Sequence, residues 1–277
     1  MYPSSLTILW QIQLLVSQAP QQKEEVCDTT NMKTVLVVGA TGATGKHVVQ
    51  QLLDKGHSIR AVVRSETRMK ELLTADANQY GDRLSLTEAS LLDLSDDQLK
   101  NLVQGTNAVV SCLGHTLTFK GIWGRPHKLV TDATKKLTEA MKQASPTSKF
   151  ILMGSNGVAN PNGLDDPRPW TERAIIRIIR YMVPPHADNE DAAAYVYNLG
   201  TNGLEWIVVR PSELIDADVS EYKLEAKPKG LFSTGPATRA NVAHCMVDMI
   251  LNDKVWEEWK FTMPVLHDKT TSATSEI

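Results

Sequence analysis

Short, almost continuous apolar runs recur along the chain from residue 34 onward, and stretches with helical spacing of their apolar residues separate them. Runs rich in Val and Ile are typical of strands that other elements cover on both faces. The pattern predicts strands at 34–38, 58–63, 84–87, 108–112, 149–153 and 206–210.

The intervening stretches predict helices. In the first of them Val48, Val49 and Leu52 fall on one stripe, and Gly56 follows as a stop signal. The predicted helices are 46–55, 95–104, 127–144, 171–182, 188–201 and 238–252. Strand and helix in repeated alternation require right-handed crossovers. The fold class is therefore α/β, a Rossmann-type doubly wound parallel sheet with helices on both faces and a small C-terminal substrate-side region.

One domain is predicted over residues 32–265. Residues 1–31 are expected to form an extension outside it, disordered or loosely helical, and 266–277 a flexible tail. Within the domain, 211–237 is irregular and contains three prolines, so we expect it to be a cap on the substrate side. Two long loops, 113–126 and 154–170, follow strands and should lie at the carboxyl edge of the sheet, where ligands bind in this architecture.

Net charge, hydropathy and cysteine content limit the binding partners and the cellular location that the sequence predicts. The formal net charge of −3 gives no reason to expect nucleic-acid binding, and the basic cluster at 173–180 is predicted to be a solvated helix face. No segment is apolar over the length a membrane helix needs, so no membrane partner is expected. Three widely spaced cysteines fit free thiols in a reducing, cytoplasmic setting, with Cys112 buried at the end of a strand.

The most informative segment is the glycine-rich loop of residues 39–45, between the first strand and its helix. In that position Gly39 permits a tight turn, Gly42 lets the backbone approach a pyrophosphate, and Gly45 allows the helix to pack on the strand. The amides at the helix start then bind the anionic phosphates. A mononucleotide P-loop is excluded because five residues separate Gly39 from Gly45, and because His47 stands where Ser or Thr would hold magnesium.

The end of the second strand favours one coenzyme over the other. An NAD site usually has an acidic side chain there, bonded to the ribose 2′-hydroxyl. Arg64 occupies that tip instead, with Arg68 one helical turn further on. A guanidinium group pairs with a 2′-phosphate through charge-assisted hydrogen bonds. The sequence therefore favours NADP(H) over NAD(H).

These features resemble the NmrA-like, NAD(P)H-binding branch of the atypical short-chain dehydrogenase/reductase superfamily, which also holds flavin and biliverdin-IX-beta reductases. The segments that carry the resemblance are VLVVGATGATGKHVVQQLLDKGHSIRAVVRS (35–65), GTNAVVSCLG (105–114), KFILMGSNGV (149–158), NGLEWIVVRPSELID (202–216) and TRANVAHCMVDMI (238–250). By this resemblance the pyrophosphate is bound by Gly39, Thr41, Gly42, Ala43, Thr44 and Gly45. The residues implied around the rest of the coenzyme are Arg64 at the 2′-phosphate, Ser90 and Leu91 near adenine, Cys112, Leu113 and Gly114 along the nicotinamide ribose, and Ser155 and Pro211 near the nicotinamide.

The chain departs from the superfamily in its proton relay. The Tyr-x-x-x-Lys pair is absent, and the position of the family's lysine falls near Asn189. Flavin-type reductases need only the correct placement of the coenzyme, because solvent can supply the proton. The leading function is an NADPH-dependent oxidoreductase acting on a small planar or carbonyl-bearing molecule. The alternative is a non-catalytic redox sensor of the NmrA type, which would have a protein partner.

Two candidate catalytic groups remain, Ser155 and His115. His115 follows Gly114 at a strand end and is either a proton donor near neutral pH or a surface or hydrogen-bonding group. His186 is expected to cap the following helix, and Asp165 and Asp166 to lie in an ordinary polar loop. No metal ligand set is predicted.

Overall fold

The structure, a computed structural model, describes residues 32–115, 124, 126–163, 165, 169–182, 184–227 and 235–269. Strands are β1 (Thr34–Val38), β2 (Ser58–Val63), β3 (Leu84–Glu88), β4 (Ala108–Ser111), β5 (Lys149–Met153), β6 (Trp206–Pro211), β7 (Leu214–Ile215), β8 (Tyr222–Glu225), β9 (Ala237–Thr238) and β10 (Val265–Asp268). Helices are α1 (Gly45–Asp54), α2 (Glu66–Glu71), α3 (Asp96–Val103), α4 (Leu129–Ala144), α5 (Trp170–Met182), α6 (Pro184–Tyr197), α7 (Arg239–Leu251) and α8 (Asp253–Trp259). The predicted extension 1–31 lies outside the described residues.

The main sheet has the strand order β3-β2-β1-β4-β5-β6-β10-β8 in the described part of the chain. The pairs from β3 to β10 are parallel, and only the β10–β8 pair, within that part, is antiparallel. The chain moves outward from β1 first in one direction and then in the other, which leaves a crevice between the carboxyl ends of β1 and β4. The predicted doubly wound α/β class is confirmed.

Alternate residues of the strands contribute to two separate hydrophobic cores, one on each face of the sheet. Val35 and Val37 of β1 point to the face covered by α1 and α7. Leu36 and Val38 point to the opposite face, which α3, α4 and α6 cover. Because both faces are buried, the parallel strands read as continuous apolar runs rather than as an alternating pattern.

Helix α6 is displaced from its predicted position, 188–201. It begins four residues earlier, at Pro184, since proline is tolerated in a first turn whose amides need no helical partner. It ends at Tyr197, and Gly200 follows with φ +71°, a left-handed conformation that glycine adopts readily. The shift places His186 inside the helix rather than before it.

The C-terminal region contains more regular structure than the sequence predicts. The tail expected from residue 266 is wrong at its start, because Leu266 is fully buried and β10 continues to Asp268. The segment 211–237, expected to be only a cap, contributes β8 to the edge of the main sheet and pairs β7 with β9. These short strands carry too few apolar positions for a periodic signal, and their partners are distant in sequence. Residues 228–234 and 270–277 lie outside the described residues.

Candidate dinucleotide-binding site

The glycine-rich loop lies against the end of the neighbouring strand. Gly39 has φ +76°, and a methyl group there would come within 2.5 Å of the Cys112 carbonyl carbon and oxygen. A methyl group on Gly45 would overlap the Gly39 carbonyl oxygen. Gly45 therefore allows the close helix packing that the sequence predicts, and the positive φ of Gly39 suits the predicted tight turn. The loop, the start of α1 and the backbone at Cys112 and Leu113 form one continuous surface.

Backbone donors at the start of α1 are available to an anion. The Gly42 amide donates to Gly39 O at 2.9 Å, and the Lys46 amide to Gly42 O at 3.1 Å, which shapes the turn. Within the described part of the chain, the amides of Thr41 and Ala43 have no intramolecular acceptor. The first turn of α1 contains no acidic residue. Unpaired amides at a helix start, without a competing carboxylate, fit a diphosphate.

Arg64 lies one residue beyond β2 and is exposed to solvent. Neither it nor Arg68 forms an ion pair within the described ranges. Glu88, at the end of the neighbouring strand β3, accepts the Glu66 amide at 2.8 Å with one carboxylate oxygen. Ser65 caps helix α2, which begins at Glu66, by accepting the Arg68 amide at 3.3 Å. The tip of β2 thus presents two guanidinium groups that form no ion pair within the described residues, which fits a 2′-phosphate.

The ends of β3 and β4 complete this side of the crevice. Ser90 is exposed, whereas Leu91 is buried in the core, so Ser90 offers the accessible surface expected near adenine. The Cys112 amide donates to Val38 O at 2.9 Å, which fixes β4 beside the glycine loop. Burial raises the pKa of the Cys112 thiol to about 12, as expected of a packing residue rather than a nucleophile.

His115 is held by a buried carboxylate that the sequence did not reveal. Its Nε2 lies 2.9 Å from Asp188 Oδ2, and the two side chains are 6% and 1% exposed. Asp188 also accepts the amides of Val130 and Thr131, at 2.8 and 3.0 Å, and the Thr131 hydroxyl at 2.6 Å. Lys128, the N-cap of α4, supplies no capping side chain. Asp188 of α6 therefore caps α4 from outside and ties it to the loop after β4.

This carboxylate gives stability a defined pH dependence. Burial alone would raise the pKa of Asp188, but the hydrogen bonds from His115, Thr131 and Val130 together lower it below its ordinary value. The stabilisation is therefore fully present above the unfolded pKa of about 3.9 and is lost as pH falls through the lower native pKa.

Asp188→Asn is expected to reduce the free energy of unfolding at neutral pH by about 2–4 kcal/mol. The reason is that the negatively charged carboxylate that accepts four hydrogen bonds is lost. Urea unfolding at a series of pH values checks this, and the difference from wild type should shrink below the ordinary aspartate pKa. Asp97→Asn is the control, since that side chain is 90% exposed. A loss that does not diminish at low pH would contradict the role of the ionised carboxylate.

Ser155 and His186 lie together at the carboxyl end of β5. The Ser155 hydroxyl accepts the Gly157 amide at 3.1 Å. A methyl group on Gly157 would lie 2.9 Å from His186 Cε1 and 3.5 Å from Ser155 Oγ, so the imidazole packs directly on this turn. His186 Nε2 lies 3.5 Å from Glu190 Oε1, one turn later on α6. Sequence reasoning assigned His186 only a capping role, and the i, i+4 spacing to Glu190 was the available signal.

The end of β6 is anchored by a buried ion pair. Arg210 is fully buried, and its NH1 and NH2 atoms lie 2.7 and 2.9 Å from the two carboxylate oxygens of Asp165. Arg210 also donates to Met263 O at 2.7 Å and to Val158 O at 3.0 Å. The expectation that Asp165 lies in an ordinary polar loop is therefore wrong. The pair holds the loop after β5 against β6. Next to it, Pro211 O accepts the Asn156 amide at 2.8 Å.

The structure thus gathers the predicted coenzyme residues at one edge of the sheet. The glycine loop, Cys112 and Leu113 are in direct contact. Each of the others follows or ends its own parallel strand, so Arg64, Ser90, Ser155 and Pro211 face the same crevice edge. Their roles toward a coenzyme stay predictions. Of the two long loops, residues 116–123, 125, 164 and 166–168 lie outside the described residues. The last of these ranges includes Asp166.

Strand order and glycine turn together define a dinucleotide-binding protein of the Rossmann type. The chain belongs to the NAD(P)H-binding family, whose model matches residues 39–253. The resemblance drawn from the sequence motifs is confirmed. In the described part of the chain, no helix has the length and apolar character needed to cross a bilayer.

This chain is similar to proteins of known sequence and to solved structures, among them the following three. An uncharacterized chloroplastic protein of Arabidopsis thaliana is 25% identical over 237 residues, covering 84% of this chain and 77% of that protein. The chloroplastic divinyl chlorophyllide a 8-vinyl-reductase of Cucumis sativus is 24% identical over 231 residues, covering 79% of this chain and 50% of the reductase. A short-chain dehydrogenase/reductase of Veillonella parvula in complex with NADP has a TM-score of 0.59 at 15% identity, covering 86% of this chain and 96% of that one. The similarity to the Veillonella parvula structure shows the fold alone. The cytoplasmic location predicted from the sequence stays a prediction.

Proposed function

We propose that this protein is an NADPH-dependent reductase of a small planar or carbonyl-bearing molecule. The observation that carries the proposal is the arrangement at the crevice, where the glycine loop packs on β4 and the exposed guanidinium of Arg64 stands at the tip of β2. The amides of Thr41 and Ala43 would hold the diphosphate, and Arg64 the 2′-phosphate. When bound, the coenzyme supplies a hydride at its nicotinamide ring. Similar proteins include a reductase.

Ser155, which the resemblance implies near the nicotinamide, and His186 are proton-bearing groups at the carboxyl end of β5. The Ser155 hydroxyl uses its oxygen to accept the Gly157 amide, which leaves its hydrogen to be donated to a substrate oxygen. The imidazole of His186 packs on the same turn, and its Nε2 lies 3.5 Å from the Glu190 carboxylate. In this proposal Ser155 orients the substrate oxygen and His186 holds the proton. His115 is the alternative donor, and its bond to Asp188 favours a positioning role.

Oxidation of NADPH by the full chain, followed with a panel of flavins, quinones and carbonyl compounds, tests the activity. Turnover with one of these classes is the expected result. The missing Tyr-x-x-x-Lys pair favours one competing function, the redox sensor. Tight NADPH binding without turnover of any compound, together with a protein partner recovered in pull-downs, would replace the reductase by that sensor.

Arg64→Gln is expected to weaken NADPH binding by about 10- to 100-fold, the range of a charge-assisted hydrogen bond. Binding of NADH should be unchanged, because it lacks the 2′-phosphate. Isothermal titration with both coenzymes checks the difference. Lys254→Gln is the matched control, since it removes one exposed positive charge from α8. An equal loss of affinity for NADPH and NADH would show that Arg64 does not read the phosphate.

A further inference from the structure

Helix α5 exposes large apolar side chains to solvent. Trp170 is 73% exposed, Ile178 58% and Ile175 41%, whereas Trp206 and Trp256 in the core are each 1% exposed. Helix α5 packs against α6. The apolar stripe of such a helix normally faces the core. The sequence of α5 is amphipathic, but Trp170, Ile175 and Ile178 face outward.

A basic strip runs beside the apolar one. Trp170, Ala174 and Ile178 are spaced four residues apart, so they lie above one another along the helix. Arg173 and Arg177 each precede a member of that row by one position and form a parallel row about 100° away around the axis. Both arginines are exposed, and neither forms an ion pair within the ranges that the structure describes. The exposed side of α5 is therefore apolar along one strip and cationic along the next.

This combination matches the surface of an anionic bilayer. A helix that lies in the interface buries Trp and Ile at the level of the acyl boundary and places arginines at the lipid phosphates. Because the chain as a whole carries a net charge of −3, long-range attraction to an anionic surface must come from a local basic strip rather than from the overall charge. The exposure of Arg173 and Arg177 agrees with the solvated helix face predicted for 173–180, and the apolar strip beside them is exposed as well.

We propose that α5 docks this protein on membranes that contain anionic phospholipids. Trp170, Ile175 and Ile178 enter the interface, while Arg173 and Arg177 pair with phosphate groups. The proposal is independent of the reductase activity, since it uses no residue of the coenzyme crevice.

Co-sedimentation of the full chain with vesicles tests the proposal. We expect binding to phosphatidylcholine vesicles that contain phosphatidylserine, no binding to pure phosphatidylcholine vesicles, and a loss of binding at high salt. Arg173→Gln combined with Arg177→Gln should weaken binding roughly 30-fold, from the typical contribution of two basic residues at such a surface. Trp170→Ser combined with Ile178→Ser should weaken it by at least about tenfold, from the apolar area removed.

The matched control combines Lys55→Gln with Lys254→Gln, which removes the same charge from exposed positions on other parts of the fold and should leave binding unchanged. Unaltered NADPH titration and thermal unfolding verify that each variant is folded. The proposal is overturned if wild type binds neither vesicle, or if the lysine control weakens binding as much as the arginine pair. A dimer detected by light scattering and abolished by Trp170→Ser, without vesicle binding, would instead assign this face to a second copy.

Discussion

Gly39→Ala is expected to abolish NADPH binding, with a loss of more than about 100-fold in affinity, and to lower the free energy of unfolding by about 3–5 kcal/mol. Two effects add at this position. The positive φ of +76° is strained for any residue with a side chain, and the new methyl group would lie 2.5 Å from the Cys112 backbone. The loop and β4 must then separate, which displaces the amides at the start of α1. Isothermal titration with NADPH and urea unfolding measure the two losses.

Gly105→Ala is the matched control for this prediction. Gly105 has nearly the same backbone angle, φ +70°, but nothing lies within 4 Å of the added methyl group. Gly105→Ala should lower the free energy of unfolding only by the conformational strain, about 1–2 kcal/mol, and leave NADPH binding intact. If Gly39→Ala proves unfolded, Gly42→Ala separates the effects. Its methyl group would lie 3.0 Å from Gly39 O and, within the described residues, reach no other atom closer than 3.9 Å, so the fold should persist while phosphate approach is blocked. Normal NADPH affinity in Gly42→Ala would contradict the assigned phosphate site.

Asp165→Asn is expected to destabilise the protein by about 3–5 kcal/mol, because it leaves a fully buried guanidinium group without its counter-charge. For a domain of this size each kcal/mol shifts the melting temperature by about 2–4 °C. Thermal and urea unfolding measure the loss. The loop after β5 should also become more accessible to proteases, since Asp165 holds it to β6.

Two comparisons separate the effect of the buried charge from a general effect of the substitution. Asp216→Asn breaks the Arg239–Asp216 pair, whose contact of 2.9 Å is similar but whose carboxylate side chain is 77% exposed. It should cost less than about 1 kcal/mol. Adding Arg210→Met to Asp165→Asn should recover part of the stability, because the uncompensated charge is removed. Equal losses in Asp165→Asn and Asp216→Asn would show that burial of the pair does not govern its contribution.

Helix and strand positions were largely predictable because they depend on local patterns. Strands β1, β2 and β5 begin and end where their apolar runs do, since each run is covered on both faces. The glycine loop was predictable for a similar reason. The tight turn, the close backbone approach and the helix start all lie within residues 39–45, so the necessary residue types appear at fixed spacing.

Contacts between distant residues were not predictable from these patterns. Arg210 and Asp165 are 45 residues apart, and His115 and Asp188 are 73 apart. Each of these residues also fits an exposed position in its own segment. Similarly, β8 was missed because its partner β10 is distant in sequence, and a short edge strand has no continuous apolar run.

The sequence by itself therefore determined the doubly wound class and the glycine-rich turn of residues 39–45, because short-range periodicity and backbone requirements encode both. Only the tertiary structure decided which buried charges are paired, which helix caps which, and that the apolar strip of α5 faces outward. These features depend on which surfaces the folded chain brings together, and a linear pattern specifies the strip of a helix but not the element that covers it.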